Sequence, residues 1–256
     1  MLLIDKYAYI NGLKDVHSSE KIIFSIGSLL LLLALHNTYV TIWTFCLMSS
    51  MIIFFAKIPF KYFSKLLAIP LFFIITSAVT ILFSFSKSIE HVIWNSKIAN
   101  YYIFISSYSL ETALNLIITS IGSVSCLYFL ILTTSIQEIC VVLRKCKVPL
   151  LFIELFELTY RFIFIFLNSM QQIFIAQNAR LGYHTIKSSF HSLGVLITSL
   201  FQEVFHRSYT LSLAMEARGG NHSEGYNFFN DSKKLNPKNW FLIGLFFSTN
   251  FIIVLF

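Results

Sequence analysis

The chain has 256 residues, of which 56% are hydrophobic and only 12% charged, against roughly 45–50% apolar and 25% charged in soluble domains. With a mean hydropathy of +0.73, this composition excludes an ordinary soluble domain and indicates an integral membrane protein. The net charge of +7 does not call for nucleic acid, because basic excess in a membrane protein marks its cytoplasmic loops.

The N-terminus carries Asp5, Lys6, Lys14, Asp15, Glu20 and Lys21 before its first apolar run. That run lacks a small-residue cleavage site and passes into more apolar sequence, so it is expected to be a retained span and not a signal peptide. Residues 22–56 are almost wholly apolar. As one helix they would reach about 50 Å, too long for a hydrocarbon core of about 30 Å. The polar break His36-Asn37-Thr38 divides them into spans at 22–36 and 39–56. Lys57, Lys61 and Lys65 precede a third span at about 66–85. A polar segment from Lys87 to Glu111 leads to a fourth at about 113–134, and a fifth runs from Trp240 to Phe256. The 28 phenylalanines suit lipid-facing helices or reflect genome composition.

Residues 135–238, between the fourth and fifth spans, have another character. Glu154, Glu157 and Arg161 interrupt the apolar stretch after Leu150, and Asn168, Gln171, Gln172, Gln177 and Asn178 interrupt its second half. The three charges are three and four residues apart and share one helix face, an amphipathic pattern. Pro149 suits the first helical turn. The stretch Leu193 to Arg218 is similar: an apolar patch at 195–201, then Glu203, His206 and Arg207. Both are expected to be long helices on or just below the membrane surface. The predicted fold is therefore all-α, with four spans in 1–134, a cytoplasmic helical insert at 135–238 and a last span at 239–256. With the N-terminus inside, only Lys87 and Lys97 of the 19 Lys and Arg fall outside, as the positive-inside rule requires.

The predicted spans contain no Asp, Glu, Lys or Arg. Intramembrane charge is the usual mark of ion pathways, so a self-sufficient ion-coupled carrier or channel is disfavoured. No G-x-x-x-x-G-K-[ST], H-E-x-x-H or G-x-S-x-G occurs, which removes a P-loop ATPase and two common hydrolase types. Cys46 and Cys126 lie in spans; Cys140 and Cys146 lie in a basic segment placed in the reducing cytoplasm. No Cys pair has metal-site spacing with histidine, and all four are read as structural.

One pattern remains. Ala176 to His184 and Ala214 to His222 both read A-x-x-A-R-x-G-x-H, 38 residues apart. Small residues one turn apart, then Arg, then Gly describe a helix end. Gly182 and Gly219 are expected to stop the helices as C′ residues, and Arg near a helix C-terminus suits the macrodipole. Two copies in one insert suggest more: paired helix tips, each presenting a rigid cationic fork to a partner's carboxylates or carbonyls.

The two copies, with the five-span layout, resemble the transmembrane T component of energy-coupling-factor (ECF) transporters, a branch of the ABC importers. That family carries two short Ala-Arg-x motifs, matched by Ala179-Arg180-Leu181 and Ala217-Arg218-Gly219. The first departs from the family, with Leu181 where Gly is frequent. Leu158 to Phe162 also resembles the start of the family's coupling region. Ile4-Asp5-Lys6-Tyr7-Ala8-Tyr9, His17 and Glu20-Lys21 resemble the cobalt-type (CbiQ-like) subgroup.

The resemblance implies a non-catalytic plasma-membrane subunit that binds no cofactor. Two cytoplasmic ABC-type ATPases would bind ATP and each receive one Arg-tipped helix. A separate membrane subunit would hold the substrate, cobalt or nickel. The alternative is a membrane-embedded enzyme at the cytoplasmic interface, using His184, His222 and Glu216.

Overall fold

The computed structural model describes residues 3–35, 37–82, 84–86, 92–98, 101–217, 233 and 236–255. The helices follow the hydropathy: α1 (Leu3–Ile10), α2 (Ser18–Leu35), α3 (Thr38–Ser50), α4 (Phe60–Leu82), α5 (Ser107–Thr133), α6 (Ile136–Lys145), α7 (Leu150–Ala179), α8 (Ile186–Ala217) and α9 (Pro237–Leu255). Among the described residues, four stretches are long and apolar enough to cross a membrane: Ser18–Leu35, Thr38–Phe55, Phe60–Leu82 and Ser109–Thr133. They match the first four predicted spans. α9 lies where the fifth was expected, and its 19 residues reach about 29 Å. The architecture is that of an all-α, multi-pass membrane protein.

The break between the first two spans is a capped helix start. Asn37 is the N-cap of α3, its side chain accepting the Tyr39 N–H at 3.0 Å, which satisfies one of the N–H groups a helix start leaves open. His36 lies outside the described residues. α3 continues as a π-helical turn, Met51–Phe55, closed by the Ala56 N–H on the Met51 carbonyl. The next residue, Lys57, has φ 55° and turns the chain into α4.

Two expectations change. The helices extend beyond their apolar cores, so their ends do carry charge: Glu20 and Lys21 in α2, Lys61 and Lys65 in α4, Glu111 in α5. Backbone hydrogen bonding continues the helix past the point where composition alone ends a span. The polar segment before α5 contains a small antiparallel sheet, with β1 (Ser84–Ser86), β2 (Val92–Ile98) and β3 (Tyr101–Ser106) in the order β1-β3-β2. Ser84 pairs with Phe104 and Ile98 with Tyr101. The pairing covers backbone groups that an irregular segment would leave open.

Two compact units divide the chain. The first comprises 1–139 and 231–256, the second 140–230. In the first, α5 packs against α1, α2, α3 and α4. Phe24, Met48, Ile52, Phe63, Cys126, Phe129, Leu132 and Phe246 form its core. Gly122 permits a close approach: a Cβ there would lie 2.7 Å from Thr41 Cγ2 and 2.9 Å from Leu32 Cδ1. Small residues at helix contacts are the usual means of packing where lipid removes the hydrophobic drive between helices. The outer faces are apolar and open, with Phe72 and Phe73 each 74% exposed, as a surface facing lipid requires. In the second unit, α7 and α8 pack against each other.

Candidate functional site

The first nine-residue copy closes α7 and leads into α8. α7 starts after Pro149, which is its N-cap and not a first-turn residue as expected; the Pro149 carbonyl accepts the Phe152 N–H at 3.1 Å. Thirty residues later Arg180 is the C-cap, with φ −93° and ψ 17°. Leu181 then takes the left-handed conformation, φ 58°. Its N–H reaches the Asn178 carbonyl at 3.0 Å, and the Gly182 N–H reaches the Gln177 carbonyl at 2.9 Å. These are the two bonds of a Schellman motif with Leu181 at C′ and Gly182 at C″.

The expectation that Gly182 is the C′ residue is therefore corrected by one position. Gly182 is required for space instead. A Cβ on it would lie 2.6 Å from Ser192 Oγ and 2.9 Å from the Gln177 carbonyl oxygen. Leu181 occupies the position that favours glycine, since a left-handed conformation costs an L-residue about 1–2 kcal/mol.

The rest of the turn is laced by side chains. The Gln177 carboxamide donates to the Ser192 carbonyl at 3.1 Å and accepts the Tyr183 hydroxyl at 2.7 Å. The Gly182 carbonyl accepts the hydroxyls of Ser188 and Ser192, each at 2.8 Å. The Phe174 and Tyr183 rings lie 4.8 Å apart. α8 accordingly begins at Ile186, seven residues before the amphipathic stretch read from sequence.

Further down the pair, Ser169 Oγ donates to Glu203 Oε1 at 2.9 Å, and Arg207 donates to the same oxygen through Nε at 2.9 Å and Nη2 at 2.6 Å. The Arg207 bonds, then the Ser169 bond, hold the Glu203 carboxyl below its usual range. Glu157 behaves oppositely: burial pushes its carboxyl up, Arg161 pulls it down, and Glu154 pushes it up again.

What this framework presents is Arg180. Ala179, Arg180 and His184 are exposed, with Leu181 70% and Ile186 81% exposed beside them. A guanidinium flanked by apolar side chains on an ordered turn suits a protein partner, since Arg is enriched at interfaces and at their hot spots. In the second copy, Ala217 is exposed and is the last residue of α8. Arg218, Gly219 and His222 lie outside the described residues. Glu216 and His184 are both exposed, and among the described residues no three His, Cys, Asp or Glu side chains are grouped to hold a metal.

Sequence reasoning missed a second feature. Glu20 and Lys21, read as charges preceding the first span, are 2% and 3% exposed. Lys21 Nζ donates to Glu138 Oε2 at 2.6 Å and to the Thr133 carbonyl at 2.9 Å. The other Glu138 oxygen accepts Lys233 Nζ. Glu20 accepts the Asn236 N–H at 3.1 Å and Asn239 Nδ2 at 2.7 Å. The one available signal was that Glu20 and Lys21 adjoin an apolar helix start; their partners are more than a hundred residues away.

Comparison with known proteins agrees with this layout. Residues 12–226 match the family model for the cobalt transport protein CbiQ. The uncharacterized protein MJ1089 of Methanocaldococcus jannaschii is 30% identical over 217 residues, covering 84% of this chain and 80% of the relative. A fused cobalt transport protein CbiMQ of Methanocorpusculum labreanum is 29% identical over 84% of this chain and 36% of the relative. The cobalt transport protein CbiQ of Salmonella typhimurium is 27% identical over 59% of this chain and 68% of the relative. With its apolar spans and a family match over most of its length, the chain belongs to the CbiQ family of cobalt transport proteins, multi-pass membrane components of transport systems.

Proposed function

We propose that the chain is the energy-coupling membrane subunit of an ECF-type importer for cobalt or nickel, with its N-terminus and the 140–230 unit in the cytoplasm of a plasma-membrane complex. Two ABC-type ATPases bind ATP and receive Arg180 and Arg218, and a separate membrane subunit holds the metal ion. The observation that carries the reading is Arg180: exposed, always charged, and set on a turn closed by backbone and side-chain hydrogen bonds. No side chain among the described residues holds its guanidinium, so it is available to another chain. An ordered tip suits the role, because a lever that yields locally absorbs motion and does not transmit it. The relative described as a fused cobalt transport protein CbiMQ supports a second transport component as partner.

On this reading Arg180→Ala removes a charged anchor from the centre of a docking contact, costing about 2 kcal/mol or more, roughly thirtyfold in affinity. Purification through a tag on this chain in mild detergent is expected to recover less ATPase with either single Arg→Ala variant. The Arg180→Ala/Arg218→Ala double variant is expected to insert normally and to take up no metal. Normal uptake by the double variant refutes the coupling function. Catalysis by the purified chain alone would favour the enzyme reading instead.

A further inference from the structure

In sequence, the 140–230 unit follows Ile139 and precedes Asp231. Glu138 lies just before the first and Lys233 just after the second. The two are bonded to each other, and Glu138 is bonded in turn to Lys21 in the first turns of α2. Next to this pair, Glu20 takes the Asn236 N–H and the Asn239 carboxamide at the start of α9. Asn11 Nδ2 lies 3.3 Å from both the Leu132 and Thr133 carbonyls at the end of α5. One polar node therefore gathers the chain before α2, the end of α5, the start of α6 and the segment leading into α9, all within the first unit.

Charge is a costly way to hold such a junction. Burying an ion pair costs several kcal/mol per ion, and apolar packing of the same volume is often as stable. Charged hydrogen bonds differ from apolar packing in having direction and fixed length. A junction that must keep its geometry under load uses that property; one that only needs adhesion does not.

We propose that Glu138 anchors a clamp holding both attachment points of the 140–230 unit to the first turns of α2, and that Lys233 is a positioning residue for energy coupling. The proposal rests on the coupling function argued above. With Lys233 bonded, movement of the inserted unit pulls on α2 and α9. Without it, the link from Lys233 to Glu138, and through Glu138 to α2, is lost. Lys233 is the informative position because its side chain is 26% exposed, while those of Lys21 and Glu138 are 2% and 15% exposed. Removing it leaves Lys21 and Glu138 paired, so no buried charge is stranded.

The test uses the whole complex, purified through this chain and reconstituted in vesicles, with cobalt uptake and ATP hydrolysis measured together and thermal stability alongside. Lys233→Met is expected to retain assembly, stability and hydrolysis while uptake per ATP falls about tenfold, within the usual range of coupling energies. Lys233→Arg is expected to restore the ratio. An unchanged ratio in Lys233→Met overturns the clamp. So does a parallel fall of assembly, hydrolysis and uptake, which marks a purely structural bond. The Arg180→Ala/Arg218→Ala variant in the same vesicles separates the two ideas. If it transports normally, the coupling function fails; if it is inactive while Lys233→Met is normal, the clamp alone fails.

Discussion

Gly182→Ala and Leu181→Gly are adjacent substitutions expected to act in opposite directions. At Gly182 the new methyl would lie 2.6 Å from Ser192 Oγ and 2.9 Å from the Gln177 carbonyl oxygen. Ser192 can rotate away only by giving up its bond to the Gly182 carbonyl, and Gln177 can retreat only by loosening the Gly182 N–H bond. Two hydrogen bonds at about 1 kcal/mol each, with residual overpacking, cost the tip about 2–3 kcal/mol. Leu181→Gly relieves about 1–2 kcal/mol of left-handed strain and loses about 0.5–1 kcal/mol to glycine's greater freedom when unfolded, a net gain of up to about 1.5 kcal/mol. Thermal unfolding in detergent reads both: a drop of about 5–10 °C for Gly182→Ala and a small rise for Leu181→Gly. Co-purification of ATPase should fall only with Gly182→Ala, because only that change displaces Arg180. A Gly182→Ala protein as stable and as well docked as the parent, or a destabilised Leu181→Gly protein, refutes the assignment of these two positions.

Two further outcomes are expected. Glu203 has a carboxyl held below its usual range by Arg207 and then Ser169, so the folded state binds its proton less readily than the unfolded state. Its contribution to the α7–α8 pair is then fully present above the ordinary value of about 4.3 and is lost as pH falls toward the folded value. Glu203→Gln should cost about 0.3–0.5 kcal/mol at neutral pH and flatten the acid limb of the melting temperature below about pH 4.3; an unchanged acid limb refutes the assignment. In the membrane unit, Gly122→Val drives a side chain into Thr41 and Leu32 and should destabilise by about 1–3 kcal/mol, read as a lower melting temperature with ATPase docking at the Arg tips retained in the inserted fraction. A stable Gly122→Val protein would show that α2, α3 and α5 pack less closely there.

The candidate site was legible as a place but not as a geometry. Arg180 at the end of a long helix follows from the change in composition after Ala179 and from the repeat. Which residue turns left-handed does not follow, because Gly182 is the natural choice from sequence and Leu181 is strained there. The turn is decided by the Gln177 and Ser192 contacts, which reward placing the space-saving glycine one residue later. The sheet of β1 to β3 was equally out of reach, since its pairing partners share no hydropathy signal.

By itself the sequence determined the first four membrane-spanning segments and the ends of the two long helices at Arg180 and Ala217. Each depends on residues close together in the chain, through the transfer of side chains into lipid and the open groups at helix ends. Only the tertiary structure decided the fate of Glu20 and Lys21. Read locally they are solvated charges before a span; folded, they are buried beside Glu138 and Asn239, 117 and 219 residues away from their partners Lys21 and Glu20. A buried charge is stable only with a counter-charge, as for Lys21, or hydrogen bonds, as for Glu20, in place, and that pairing is a property of the packed helices.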